Sequence, residues 1–157
     1  MHLKKRKAFT MLELVFVIVV IGILSAVAIP RFAVNRDDAV ISKAKSTVAS
    51  IRSAVATERQ KLILRGDFTP ITSLGLTASK GYNAPIFDGI NGDASSPIFQ
   101  YTLQSCKDSN ARECWYTPDN VTYTFRMPIA GDVDFNLTNS RFVCEDPTSS
   151  NCKLLTQ

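Results

Sequence analysis

Residues 4–30 read KKRKAFTMLELVFVIVVIGILSAVAIP, and this stretch decides the fold. Four consecutive basic side chains, Lys4, Lys5, Arg6 and Lys7, stand before an apolar run. That run extends from Phe9 to Ile29, 21 residues interrupted only by Thr10, Glu13, Gly22 and Ser25. As a helix it would be about 32 Å long, enough to cross a bilayer. Basic residues ahead of such a span stay on the cytoplasmic side, so the chain after Pro30 is expected outside the cytoplasm.

Two readings of the run compete. A secretory signal peptide also has a basic start and an apolar stretch, and Ala26-Val27-Ala28 satisfies the A-x-A cleavage pattern. Cutting after Ala28 would release a soluble binding domain. The other reading is a retained membrane helix. Glu13 favours the second, because a carboxylate in an apolar helix is costly and a disposable signal gains nothing from it. A simpler role for Glu13, marking the membrane edge where it can reach water, stays open on these grounds.

The net charge of +4 looks like that of a nucleic-acid binder. Without Lys4, Lys5, Arg6 and Lys7, however, 14 basic residues face 14 acidic ones. The basicity belongs to the leader, and no nucleic-acid binding is expected. His2, the one histidine, lies there too. Once the leader is removed, Ser-His and Cys-His nucleophile pairs and histidine-ligated metal sites are excluded.

The cysteines form two pairs, Cys106/Cys114 and Cys144/Cys152, each with seven residues between its members. Neither has the C-x-x-C spacing of zinc or redox sites. An even count behind an export signal favours disulfides. Of the three possible connectivities, the two local bridges together are preferred.

Lys5-Arg6-Lys7-Ala8-Phe9-Thr10-Met11-Leu12-Glu13-Leu14-Val15 resembles the processing site of the type IV pilin and type II secretion pseudopilin superfamily. The likeness continues through Gly22 and Pro30 and, as an architecture, to about Arg65. It implies a membrane peptidase that cuts Ala8–Phe9 and then methylates the new amine of Phe9. Ala8 stands where the family has glycine. The resemblance further implies that Glu13 pairs in the filament with the Phe9 amine of a neighbour, both groups being otherwise unpaired. Only one axial offset satisfies both charges, so Glu13 would set register. It also implies local melting near Gly22 and Pro30 on assembly, proline being a helix breaker in its own right.

Beyond Pro30 the helical period resumes. Val34, Ile41, Ala44, Val48, Ile51, Val55 and Leu62 share a stripe, and Gly66 is expected to end the helix. Glu58 interrupts the seam, so packing on a sheet is preferred to a coiled coil. The two helical stretches together predict one helix of roughly 55 residues. Residues 66–97, rich in Gly, Pro, Ser, Asn and Thr, read as an irregular connection. Strands are expected at Ile98–Gln104, Trp115–Tyr116, Val121–Met127, Val133–Leu137 and Arg141–Cys144, joined as an antiparallel meander. The expected fold is α+β and pilin-like. The leader spans 1–8, the membrane or filament-core helix 9–30 and the amphipathic helix 31–65. A variable loop spans 66–97, and an antiparallel sheet with two disulfide-closed loops spans 98–157.

Three further features carry possible chemistry. Asp88, Asn91 and Asp93 gather oxygen ligands on a Gly-rich loop that could suit calcium, though a polar turn explains them as well. Otherwise no cofactor is expected. Asn120-Val-Thr122 and Asn136-Leu-Thr138 are N-glycosylation sequons, the second preceded by Asp134. Trp115, Tyr116 and Phe99 could form an adhesive patch, but core aromatics of a small sheet fit better.

The favoured function is a structural filament subunit, pseudopilin or pilin, and not an enzyme. The resemblance implies self-assembly, an inner-membrane pool, a prepilin peptidase, an assembly ATPase and a platform protein. It places the subunit first in the inner membrane, with a periplasmic C-terminal domain, and later in a pseudopilus or surface pilus. The soluble domain released after Ala28 is the alternative.

Overall fold

A computed structural model describes residues 9–76, 81–129 and 131–157, with the backbone alone at residues 30–35. The chain forms two compact units, Met1–Asp38 and Ala39–Gln157. Helix α1, Met11–Leu64, contributes to both.

In the first unit α1 carries many β-branched residues, among them Val15, Val17, Ile18, Val19, Val20 and Ile21. Such residues are mediocre helix formers in water. In lipid every backbone polar group must be satisfied internally, and the helix becomes the stable form regardless of propensity. The helix begins at Met11, two residues later than the apolar run.

The second unit is built on the expected stripe. Ala44, Val48, Ile51 and Val55 of α1 are buried, with Ile41 and Leu62 half-buried beside them. Glu58 falls on the same stripe and is buried as well, 3.0 Å from Lys61 Nζ. The helix stops as glycine dictates. Gly66 has φ +79°, its N–H donates to Ile63 O, and the Asp67 N–H donates to Leu62 O. These two bonds satisfy carbonyls that the helix end would leave open.

Four strands form an antiparallel meander in the order β3-β4-β5-β6: β3 Cys114–Tyr116, β4 Thr122–Arg126, β5 Asp132–Thr138 and β6 Arg141–Cys144. Their period of two puts Trp115, Tyr123, Phe125, Val133, Phe135, Phe142 and Cys144 into the core with the α1 stripe. Asn139 and Ser140 both have positive φ and form the two-residue turn between β5 and β6. That geometry matches strand twist. The Ser140 hydroxyl also accepts the Ile71 N–H at 2.9 Å.

Three regions differ from expectation. The run Ile98–Gln104 is strand only at β2, Leu103–Gln104, because its partner β1, Pro85–Ile86, is just as short. β1 itself lies in the stretch read as irregular. The C-terminal cysteine loop holds a helix, α2, Ser150–Thr156, capped by Ser149, whose hydroxyl accepts the Cys152 N–H.

The stretch from Gly66 to Pro97 is also better packed than its composition implies. Ile71, Leu74, Ile86, Phe87 and Ile90 are buried. Side chains fix its backbone at Ile71 through Ser140, at Leu74 through the Tyr123 hydroxyl, and at Thr72 and Ser73 through Asn91 Oδ1.

Candidate assembly site at the N-terminal helix

Met11–Ile29 is 19 residues long and apolar enough to cross a membrane, and none of its residues is buried. Leu12, Leu24 and Ile29 lie on different sides of the helix and are each at least 65% exposed. A helix that is apolar all round needs lipid or other helices as its solvent.

At its start, Thr10 and Glu13 close a capping box. The Thr10 N–H and hydroxyl both donate to Glu13 Oε2 at 2.9 Å, and the Glu13 N–H donates to Thr10 Oγ1 at 3.2 Å. Two orphan amides of the first turn are thereby satisfied. The expectation that Glu13 lacks a partner within its own chain is corrected here: one of its oxygens already has two. The signal was the Thr-x-x-Glu spacing itself.

Phe9 is 80% exposed and precedes the helix. Ala8, its expected cleavage partner, lies outside the described residues, as does the leader. The helix runs through Gly22 and Pro30 without a break, and among the described residues a Cβ placed on Gly22 would meet nothing within 4 Å beyond its chain neighbours and the helix's own backbone.

Both cysteine pairs are bonded, Cys106–Cys114 and Cys144–Cys152. The first bridge closes a loop that Arg126 also holds. Its guanidinium lies over the rings of Tyr82 and Tyr116 at 5.7 and 5.5 Å and donates to the carbonyls of Asp108, Ser109 and Ala111. The second bridge ties β6 to α2, where Cys152 and Leu155 are buried.

The calcium candidates do not converge. Asp88 accepts the Leu76 N–H and Asn91 those of Thr72 and Ser73. Asp93 accepts the Ser95 N–H and hydroxyl, which hold its carboxyl below the ordinary range. Among the described residues no three His, Cys, Asp or Glu side chains gather as a metal site. Asn136 sits mid-strand on β5 between Thr122 and Val143, half-buried, and Asn120 is buried. Neither presents the exposed loop that a glycosylating enzyme reads. Trp115 is in the core, Phe99 packs edge-on to Phe87, and Tyr116 stacks on Tyr82.

Residues 3–29 match the family model for the prokaryotic N-terminal methylation motif. The N-terminal segment thus carries the methylation motif that the sequence resemblance pointed to. The motif belongs to structural subunits rather than to enzymes. The chain is similar to the type IV narrow pilus major component PilA5 of Thermus thermophilus, 48% identical over 52 residues. That stretch covers 33% of this chain and 45% of the relative, so the chain spans about half the length of the curated relative it matches. No solved structure matches the chain.

Proposed function

We propose that this pilin-like chain is a structural subunit of a type IV pilus-like filament or type II secretion pseudopilus. One observation carries the proposal: an apolar helix of 19 residues, none of them buried and opened by a carboxylate, precedes a unit that has its own core. A peptidase cuts Ala8–Phe9 and the Phe9 amine is methylated, which preserves its charge. The subunit waits in the inner membrane with its sheet unit in the periplasm. A cytoplasmic ATPase and a platform protein then lift it into the filament, where Glu13 meets the Phe9 amine of a neighbour. Gly22 and Pro30 supply the places where the helix can loosen. The likeness to a pilus component supports a filament role. The methylation motif falls on residues 3–29, a segment that pilins and pseudopilins share, and so supports both kinds of filament equally.

A cut after Ala28 is less well supported, because residues 26–28 lie inside α1. The mature N-terminus, measured by mass spectrometry together with electron microscopy of sheared surface material, tests the proposal. Methylated Phe9 and thin filaments are the expected result. Ile29 as the first residue would overturn it.

A further inference from the structure

We infer that Asn91-Gly92 is a spontaneous modification site, where asparagine converts to aspartate and isoaspartate, and that the fold gates the conversion by clamping the Asn91 carboxamide on residues 70–73.

Asn91 is the one asparagine in the chain that glycine follows. That order matters chemically. The Gly92 nitrogen can attack Asn91 Cγ, an approach that a side chain on the following residue would hinder and glycine leaves open. The new N–Cγ bond closes a cyclic imide as the Cγ–Nδ2 bond breaks. The proton of the Gly92 N–H departs with Nδ2 as ammonia. Water then opens the ring at either carbonyl, giving aspartate or isoaspartate. Nothing is oxidised or reduced, and water is the one co-reactant.

The nucleophile is free and the electrophile is held. No backbone carbonyl among the described residues accepts the Gly92 N–H. Asn91 Oδ1 accepts the Thr72 and Ser73 N–H groups at 2.9 and 3.2 Å, and Nδ2 donates to Pro70 O at 3.1 Å. The backbone is fixed as well. Asn91 and Gly92 have φ +50° and +81° and form a two-residue turn. Across it the Ile90 N–H donates to Asp93 O at 3.3 Å and the Asp93 N–H to Ile90 O at 2.9 Å. The Asn91 N–H donates to Ser73 O at 3.0 Å. The carboxamide therefore has to leave residues 70–73 before its carbon can swing onto the Gly92 nitrogen.

Conversion loosens the same place. An aspartate at position 91 has no Nδ2 donor for Pro70 O and turns an oxygen towards it instead. Isoaspartate adds a methylene to the main chain, so the turn between Ile90 and Asp93 no longer closes. Either product adds a negative charge between Asp88 and Asp93.

The test follows the full chain in detergent micelles and a synthetic peptide of residues 86–96 side by side in mildly alkaline buffer. Peptide mapping by mass spectrometry reads the exchange of –NH2 for –OH at Asn91, and released ammonia checks the balance. The peptide gives the ungated rate. The folded chain is expected to convert roughly tenfold to a thousandfold more slowly, because three hydrogen bonds of ordinary net strength must open first. Amide exchange at Thr72 and Ser73 measures that opening independently, since Asn91 Oδ1 is the acceptor of both. Their protection should match the slowing of conversion to within about a factor of ten. Equal rates in chain and peptide overturn the gate, and so does protection that departs further than this from the slowing. A peptide that stays unconverted overturns the site itself. Chains converted to isoaspartate, separated by chromatography, should lose exchange protection at Asp93, and retained protection there overturns the loosening.

Discussion

The rings of Phe87 and Tyr123 stack with centroids 4.8 Å apart and planes 21° from parallel, although Phe87 is held at φ +57°. Bulky residues rarely adopt that backbone conformation. Phe87 is fully buried and also meets Phe99, Trp115 and Phe142 edge-on, so packing offsets the strain. The pair joins the connection after α1 to the second strand of the main sheet.

Tyr123 adds a polar tie at the same place. Its hydroxyl accepts the Leu74 N–H at 3.0 Å and donates to Asn120 O at 2.5 Å. Tyr123→Phe is expected to destabilise the sheet unit by about 1–3 kcal/mol, the cost of leaving buried partners unmet. Burial raises the phenol pKa, with the charges of Asp119 and Asp88 adding to the rise. The folded state therefore keeps its proton longer than the unfolded state. The resulting stability is complete below the ordinary tyrosine value, about 10, and falls as pH rises above it. Urea titrations between neutral pH and about pH 11 should show this loss in the native protein and a smaller one in Tyr123→Phe.

Arg126 illustrates a tie that depends on shape as well as charge. Its planar group lies over two tyrosine rings and reaches three loop carbonyls. Arg126→Lys keeps the charge but loses the fork, so it should recover less than half of the stability that Arg126→Ala loses. The loss itself is expected at roughly 1–3 kcal/mol. Amide exchange at residues 107–112 should accelerate in both variants, and unchanged protection there would refute the role.

The parts legible in the sequence were those with a long or regular period. The apolar run, the stripe of Ala44, Val48, Ile51 and Val55, and the alternation of Val121 to Met127 each repeat often enough to read. β1 does not, because two residues beginning with Pro85 carry no period. α2 was hidden by Cys144 and Cys152, whose spacing reads as a loop, while the cap at Ser149 went unread. The Thr10–Glu13 box was legible in principle. Its Thr-x-x-Glu spacing is short and lies inside an apolar run, where the carboxylate stands out more than the partner three residues away. The fixation of Leu74 by Tyr123 and of Ile71 by Ser140 spans 49 and 69 positions, and no local pattern announces such pairs.

Glu13→Ala removes the carboxylate that closes the box with Thr10. The variant should insert in the membrane and be cut at Ala8–Phe9, because the basic leader and the apolar run are unchanged. Filament assembly should fall sharply, since breaking a buried charge pair by removing one partner costs about 3–5 kcal/mol. Native filament yield from this variant would rule out the register role of Glu13.

The two bridges should differ in what their loss releases. Cys144→Ser with Cys152→Ser detaches α2, whose seven residues are too few to stay helical alone. Leu155 would then leave the core. A loss of about 2–3 kcal/mol is expected from the bridge itself. Exchange of the α2 amides should rise to that of an open chain while β3 to β5 stay protected. Intact protection of α2 in this variant would show that Leu155 and the Ser149 cap suffice.

The last prediction concerns the sheet unit by itself. A fragment comprising residues 31–157 should be a soluble, folded monomer. Among the described residues every buried residue of the core lies at or beyond Ala44, so the deletion removes none of these core side chains. The part of α1 that remains has its apolar stripe covered by the sheet and the loops, whereas Met11–Ile29 has no polar face and no buried residue. The fragment should keep its helix and both disulfides and show no polymer at any concentration, because Phe9, Thr10 and Glu13 are absent. Circular dichroism and size-exclusion chromatography with light scattering measure both halves of the claim. An unfolded fragment would mean that the sheet unit needs the first unit or a neighbour to fold. A fragment that polymerises would place the assembly element in the sheet unit instead of the N-terminal helix.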